Sequence, residues 1–183
     1  MSWKGGSAAV LAVMILVAAG CASVSVDFDS CDHTAAREAT IAVGDTSSVR
    51  VIARAGSLRI DGSPGLSDIK ARGTACASSQ DRLDEVELIA RRSDRETLIE
   101  ARIPENQASM DIVIEMPDSL AINVNDSSGD LEVRNVRALE LEDGSGDIIV
   151  KTIIGDLTIK DGSGGIQVSK VGGDVRIEDG SDD

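Results

Sequence analysis

Acidic side chains recur at a nearly fixed spacing in the second half of the chain, and such a pattern could bind a cation. Asp126, Asp143, Asp161 and Asp179 each open an Asp-Ser-Ser or Asp-Gly-Ser turn, and they are 17, 18 and 18 residues apart. Carboxylates that are held close together repel one another, and calcium between them would relieve this repulsion because it takes oxygen ligands. The four aspartates are therefore a candidate calcium ladder.

The order of residues in these turns differs from that of calcium-binding toxin repeats. Those repeats read Gly-Gly-x-Gly-x-Asp, whereas the turn at Asp143 reads Asp-Gly-Ser-Gly-Asp. Asp130 and Asp147 would form a second, shorter ladder, but Gly165 stands at the next equivalent position. We therefore favour an interpretation in which each aspartate accepts hydrogen bonds from the amides of its corner and directs its charge to water.

No other group of residues has the spacing of a metal or catalytic site. His33 is the only histidine, and neither a second histidine nor a Cys-x-x-Cys pair accompanies it as a zinc ligand. The acids are periodic, whereas a polysaccharide-cleaving β-helix needs one pair of carboxyl groups at a defined separation. We assign no catalytic residue and no cofactor. A calcium- or ligand-binding protein is the first alternative, and a polysaccharide-active enzyme is the less favoured one.

The aspartates belong to a longer repeat that has the same period. On both sides of each turn apolar residues alternate with polar ones, which is typical of strands with one buried face. Self-similarity at a fixed period predicts stacked repeats, and we expect an all-β fold, a single-stranded β-solenoid with one repeat per coil. An antiparallel sandwich would explain the alternation but not the period. The predicted corner residues are Asp126, Gly129, Asp143, Gly144, Gly146, Asp161, Gly162, Gly164, Asp179 and Gly180.

The segment before these repeats is also predicted to form strands, but less regularly. We expect one β-repeat domain over 31–183, with an irregular part at 31–119 and regular repeats at 120–183. "SVRVIA" and "SLRIDGSPGL" read as strands, and Asp61-Gly62-Ser63 resembles an early copy of the corner. A polar turn at Arg92 to Arg95 between two apolar runs predicts a hairpin. No helix is expected after the leader.

The N-terminal segment 1–20 has the composition of a cleavable leader. Lys4 precedes an uncharged apolar run, Ala8 to Ala19, which is too short to span a bilayer. "VAAGC" then resembles the lipobox of bacterial lipoproteins, and an ordinary secretory signal is the alternative. The resemblance implies cleavage before Cys21, lipid on its sulfur, and a linker at 21–30. Because Ala22 stands where an aspartate would retain a lipoprotein in the inner membrane, we expect an anchor in the outer membrane.

Two cysteines remain once Cys21 is assigned to the lipid. An even pair in an oxidising compartment predicts a disulfide between Cys31 and Cys76. A loop of this length would stabilise the fold by roughly 4 kcal/mol on the chain-entropy model.

Charge and aromatic content exclude several classes of partner. The formal net charge is −14, which disfavours phosphate backbones and anionic headgroups. Trp3 lies in the leader and Phe28 is the only other aromatic residue, so stacking platforms for nucleic-acid bases or sugars are missing from the sequence. Nucleic acid is therefore not an expected partner.

The repeats also carry a family resemblance. "EMPDSLAINV" followed by "SSGDLEV", "GSGDIIV" and "GSGGIQV" resembles bacterial DUF4097-like domains, known as "putative adhesins", and the likeness is strongest from Ile112 onward. It implies a lipoprotein of the cell envelope with β-strand repeats and a structural or protein-interaction role. We expect contact with the membrane through the lipid and with an envelope protein. The last coil, at "EDGSDD", could pair with a second copy, but its charge disfavours this.

Overall fold

The structure is a computed structural model, and it describes residues 31–103 and 108–180. Cys21, the leader and the linker lie outside these residues. The described part contains the short helix α1, Gln80–Asp84, and fourteen strands. The strands are β1 His33–Ala42, β2 Ser48–Ile52, β3 Leu58–Ser63, β4 Asp68–Ala77, β5 Glu87–Ser93, β6 Glu96–Arg102, β7 Ala108–Pro117, β8 Ala121–Asn125, β9 Leu131–Val136, β10 Ala138–Asp143, β11 Ile148–Ile153, β12 Leu157–Asp161, β13 Ile166–Val171 and β14 Val175–Asp179.

The strands form two seven-stranded mixed sheets, which confirms the all-β prediction. Sheet A has the order β1-β4-β7-β3-β9-β11-β13, and sheet B has the order β14-β12-β10-β8-β2-β6-β5. Within the described ranges, neither sheet closes on itself. From β8 to β14 the chain alternates between the two sheets, so each repeat contributes one strand to each sheet. The solenoid class remains a prediction.

The pairing of these strands follows the register predicted from the repeat. In sheet B, Ile122 pairs with Leu139, Leu139 with Leu157, and Leu157 with Val175, all in parallel. In sheet A, Leu131, Ile148 and Ile166 are paired in the same way. The period of the repeat is therefore the distance along the chain between neighbouring strands of one sheet.

The aliphatic positions of both sheets face a common core. Leu141, Ile159, Val133 and Val150 are fully buried, whereas Val175 and Ile177 of β14 are 51% and 44% exposed. Burial decreases over the last strands because β13 and β14 are the edge strands at this end.

The opposite end is built differently, with antiparallel pairs and the helix. β1 pairs with β4, β4 with β7, and β5 with β6, all antiparallel, and the last of these is the predicted hairpin. Ser79 caps α1 by accepting a hydrogen bond from the amide of Arg82. Arg37 of β1 donates hydrogen bonds to the carbonyls of Leu83 and Val86, at 2.8 and 2.7 Å. The expectation of no helix was wrong here, because so short a helix does not show a period in the sequence.

The strands of each sheet do not follow one another in chain order. β2 lies between β6 and β8, and β3 lies between β7 and β9, with all four of these pairings parallel. The early strands β2 and β3 therefore each lie between two strands that come later in the chain. In the described residues, no helix is long and apolar enough to cross a membrane.

Candidate functional site

The corners that lead from sheet B to sheet A form the candidate site. Gly129, Gly146 and Gly164 have φ values of 126°, 137° and 141°, which side chains rarely adopt. A Cβ atom on Gly146 would lie 2.1 Å from the carbonyl oxygen of Gly129, so the stacked corners also leave no space for one. These glycines therefore serve both the turn and the stacking.

The glycine directly after the aspartate has a separate role. Gly144 and Gly162 do not have positive φ, yet a Cβ atom on either would lie 2.4 Å from a carbonyl oxygen of the preceding corner. The contact at Gly180 is looser, because a Cβ atom there would lie 3.1 Å from the carbonyl oxygen of Gly162. The Asp-Gly-Ser sequence is thus kept partly by close contact between successive backbones.

The side chains of the corner aspartates point inward, contrary to our expectation that their charges face water. Asp126, Asp143 and Asp161 are only 5%, 7% and 6% exposed. Strand alternation explains this, because each aspartate lies two residues after a core position such as Val124 or Leu141. The expected contacts with corner amides are found in part. Oδ1 of Asp126 accepts from the amide of Ser127 at 2.8 Å, and Oδ1 of Asp161 accepts from that of Ser163 at 3.3 Å.

Several buried oxygens in this column have no hydrogen-bond partner among the described residues. They are Oδ2 of Asp126, both carboxyl oxygens of Asp143, and Oδ2 of Asp161. A buried polar atom without a partner is costly, particularly when it is charged. Asp179, at the next position, is exposed.

Burial changes the acidity of these groups. It raises the pKa of Asp126 to about 7, with a smaller contribution from the charge of Asp143, while the amides of Ser127 and Ser128 oppose the shift. Burial also raises the pKa of Asp143, and the charge of Asp161 adds to this. The amides of Gly144 and Ser145 lie near Asp143 and lower its pKa somewhat, but they do not reach hydrogen-bond geometry.

The structure does not bring these groups into a recognisable metal site. Within 31–103 and 108–180, no three His, Cys, Asp or Glu side chains are arranged so that they could hold a metal ion. His33 lies on β1, at the far end of the molecule from the repeats.

A second set of acids connects successive corners from outside. Oδ1 of Asp147 accepts from the amide of Gly165 at 3.0 Å, and Oδ1 of Asp130 accepts from that of Asp147 at 3.4 Å. At the opposite corner, Oδ1 of Asp156 accepts from the amide of Asp174 at 3.0 Å. This last contact was not predicted, although the Gly-Asp of "IIGDL" recurs in "VGGDV" and could have indicated it.

The early copy of the corner lies at a different place from the predicted one. Asp61-Gly62-Ser63 is the end of β3, and Gly62 is required there because a Cβ atom would lie 1.8 Å from the carbonyl oxygen of Asn135. The true equivalent is Ala53 to Ser57, in which Gly56 has a φ of 121° and its amide donates to Ser128 oxygen at 3.1 Å. The sequences "GSLRI" and "GDLEV" share this register, but Ala53 replaces the aspartate and conceals it.

The predicted disulfide is present. Cys31 and Cys76 are joined, with their Cα atoms 5.4 Å apart. Cys76 lies on β4 and Cys31 shortly precedes β1, so the bond fastens the first strand to its neighbour.

Comparison with known proteins gives distant likenesses only. No family model and no curated protein matches the chain. A solved structure of a "putative cell adhesion protein" from Clostridium sporogenes is 12% identical, covers 80% of this chain and 100% of its own, and has a TM-score of 0.41. A "putative adhesin" from Bacteroides fragilis is 14% identical, with 81% and 97% covered and a TM-score of 0.30. The DUF4097-like membership therefore stays a prediction.

Proposed function

We propose that this protein is a lipid-anchored β-solenoid of the bacterial cell envelope, without catalytic activity, that acts by presenting extended surfaces to an envelope protein. The observation that carries the proposal is the in-register parallel stacking of β8, β10, β12 and β14 in one sheet and β9, β11 and β13 in the other. Stacked repeats build continuous surfaces that suit recognition over a large area.

The outer face of sheet A is the better candidate for contact. Its side chains form a row in which Lys151 lies 3.2 Å from Glu132, and Glu132 also pairs with Arg134. A shallow groove runs beside this row, and it is lined by Ser57, Leu58, Arg59, Asp130, Leu131, Glu132, Asp147 and Ile149. Partly exposed aliphatic carbon next to polar and charged side chains is compatible with the apolar centre and polar rim of a protein interface.

Site-specific crosslinking tests the interaction role. A photo-reactive residue replacing Ile149 on the outer face of sheet A should form a discrete adduct in intact envelopes. The matched control is a replacement of Thr158 on the outer face of sheet B, which should form no such adduct. If neither position forms a discrete adduct, the interaction role is wrong.

The anchor is tested separately. Labelled palmitate should attach to the full chain and not to the Cys21→Ser variant. Equal labelling of both proteins, or labelling of neither, would contradict the lipoprotein assignment. Fractionation of the labelled protein with outer-membrane rather than inner-membrane markers tests the expected location.

A further inference from the structure

The corner side chains form one column that changes character along the stack. In sheet B, Ile52 of β2 pairs with Glu100 on one side and with Asn125 on the other. One residue further along each strand, Ala53 therefore lies between Ala101 and Asp126. Asn125 in turn pairs with Glu142, so the residues that follow them, Asp126 and Asp143, lie side by side. Asp143 pairs directly with Asp161. Neighbouring strands are about 4.8 Å apart. The column thus contains two alanines followed by buried aspartates at strand spacing.

In the described part of the chain, no cationic side chain balances the charge of this column. The charges that act on Asp126 and Asp143 come from the next aspartate in each case. Glu142 and Lys160, which lie one residue away on the outer face, pair with each other at 3.1 Å. Beyond the corner, the exposed carboxylates of Asp130 and Asp147 add further negative charge, and Arg54 beside Ala53 is exposed.

Burial and the neighbouring carboxylates favour the protonated forms of Asp126 and Asp143. Like charges at strand spacing repel strongly when burial excludes water. A proton on one carboxyl group removes a charge and also supplies a donor for an oxygen on the next aspartate. This would satisfy the oxygens that otherwise have no partner among the described residues.

We propose that Asp126 and Asp143, stacked beside the buried Asp161, form a proton-binding site at neutral pH, in which their protonated carboxyl groups donate hydrogen bonds along the column and hold successive strands together. The site would make the fold sensitive to pH, in the direction opposite to acid denaturation. Its ligand is the proton, and the proposal does not depend on the function proposed above.

The direction in which stability changes with pH follows from the coupling of proton binding to folding. An aspartate whose pKa is raised on folding binds more protons in the folded state than in the unfolded state. Stability is therefore greatest below the unfolded pKa, near 3.8, and falls as pH rises toward the folded pKa, which for Asp126 is about 7. Each proton retained on folding changes the unfolding equilibrium constant tenfold per pH unit, so Asp126 alone would account for a change of up to about a thousandfold.

The first test is a direct titration. Carboxyl carbon shifts of the side-chain-labelled protein, followed by NMR between pH 3 and 9, should give Asp126 a midpoint near 7 and place that of Asp143 well above its ordinary value. Midpoints below about 5 for both Asp126 and Asp143 would overturn the proposal.

The second test compares variants by thermal unfolding at pH 4.5 and pH 8. Asp143→Asn keeps the shape and removes the charge, so its unfolding midpoint should exceed that of the natural protein at pH 8 and approach it at pH 4.5. Asp126→Ala, which copies the chain's own solution at Ala53, should behave in the same direction if the asparagine variant does not fold. Asp130→Asn is the matched control and should shift the two midpoints equally. Variants of Asp126 and Asp143 that are less stable than the natural protein at pH 8 would refute the proposal.

A cation is the competing ligand. Addition of 5 mM calcium at pH 8 should leave the unfolding midpoint unchanged. A rise with calcium that disappears in Asp143→Asn would show a metal site in place of the proton site.

Discussion

The strand pair β2–β3 and the later strand pairs from β8 to β13 use the same corner with opposite side-chain chemistry. Gly56 and Gly129 share a positive φ and stack on each other, and a Cβ atom on Gly129 would lie 2.1 Å from Gly56 oxygen. Yet the inward position holds Ala53 after β2 and Asp126 after the neighbouring strand β8. The difference shows that glycine and backbone contact define the turn, whereas the buried aspartate is not required for it.

The largest loss of stability is expected when a Cβ atom is added to the glycine that both kinds of corner share. Gly146→Ala adds strain at positive φ, about 1–2 kcal/mol, and overpacking of about 1–3 kcal/mol. Because the clash is with backbone, which cannot rotate away, we expect a loss near the upper sum, about 5 kcal/mol. Gly56→Ala should lose a similar amount, since its Cβ would lie 2.4 Å from Met110 oxygen. Urea unfolding measures both.

Gly65 provides the control for this pair. It has a φ of 76°, but apart from Gly65 itself and its two chain neighbours, no residue of the described structure has an atom within 4 Å of its Cβ position. Gly65→Ala should therefore cost only the backbone strain, about 1–2 kcal/mol. Equal losses at Gly65 and Gly146 would show that stacking contributes nothing at the corner.

Removal of the disulfide should destabilise the antiparallel strands β1 and β4 more than the parallel strands β10 and β12. Cys31 and Cys76 are 45 residues apart, and breaking such a loop is expected to cost about 4 kcal/mol on the chain-entropy model. In a Cys31→Ser/Cys76→Ser variant, hydrogen exchange should accelerate first in β1 and β4. Faster exchange in β10 and β12 to the same degree would mean that the two regions unfold as one unit.

Core truncation should have unequal effects within the repeats. Leu141 is fully buried, and Leu141→Ala should cost about 2–5 kcal/mol. Ile177 faces the same core one coil beyond Ile159 but is 44% exposed, and Ile177→Ala should cost about 1 kcal/mol or less, since surface changes have small effects. Denaturant midpoints of the two variants provide the comparison. Similar losses would show that the last strand is covered in solution.

An exchange of corner chemistry should have an effect that depends on pH. Ala53→Asp extends the acidic column by one member, and burying an extra carboxyl group should cost about 1–3 kcal/mol at pH 8. Because the new aspartate retains its proton on folding, the loss should decrease as pH falls toward 4. A loss that is equal at pH 8 and pH 4.5 would indicate a steric rather than an electrostatic cause.

Much of the fold was predictable because the parallel strands repeat their register in the sequence. The alternation around Leu139 and Leu141 gave the strands and their neighbours, and cysteine arithmetic gave the disulfide. The order of the strands within each sheet was not predictable. β2 pairs with β6 and β8, which come much later in the chain, and no local signal specifies those partners. The inward direction of the aspartates was available from strand alternation, but the usual preference of charged groups for water concealed it.

The position of β2 and β3 has a consequence for how the chain acquires its structure. These strands are made early, but their neighbours in both sheets, β6 to β9, are made later. The two strands cannot both gain all their partners until the chain has been synthesised to about Val136, where β9 ends. Non-local pairing of this kind slows folding, so we expect the chain to remain largely unfolded until most of it has been made.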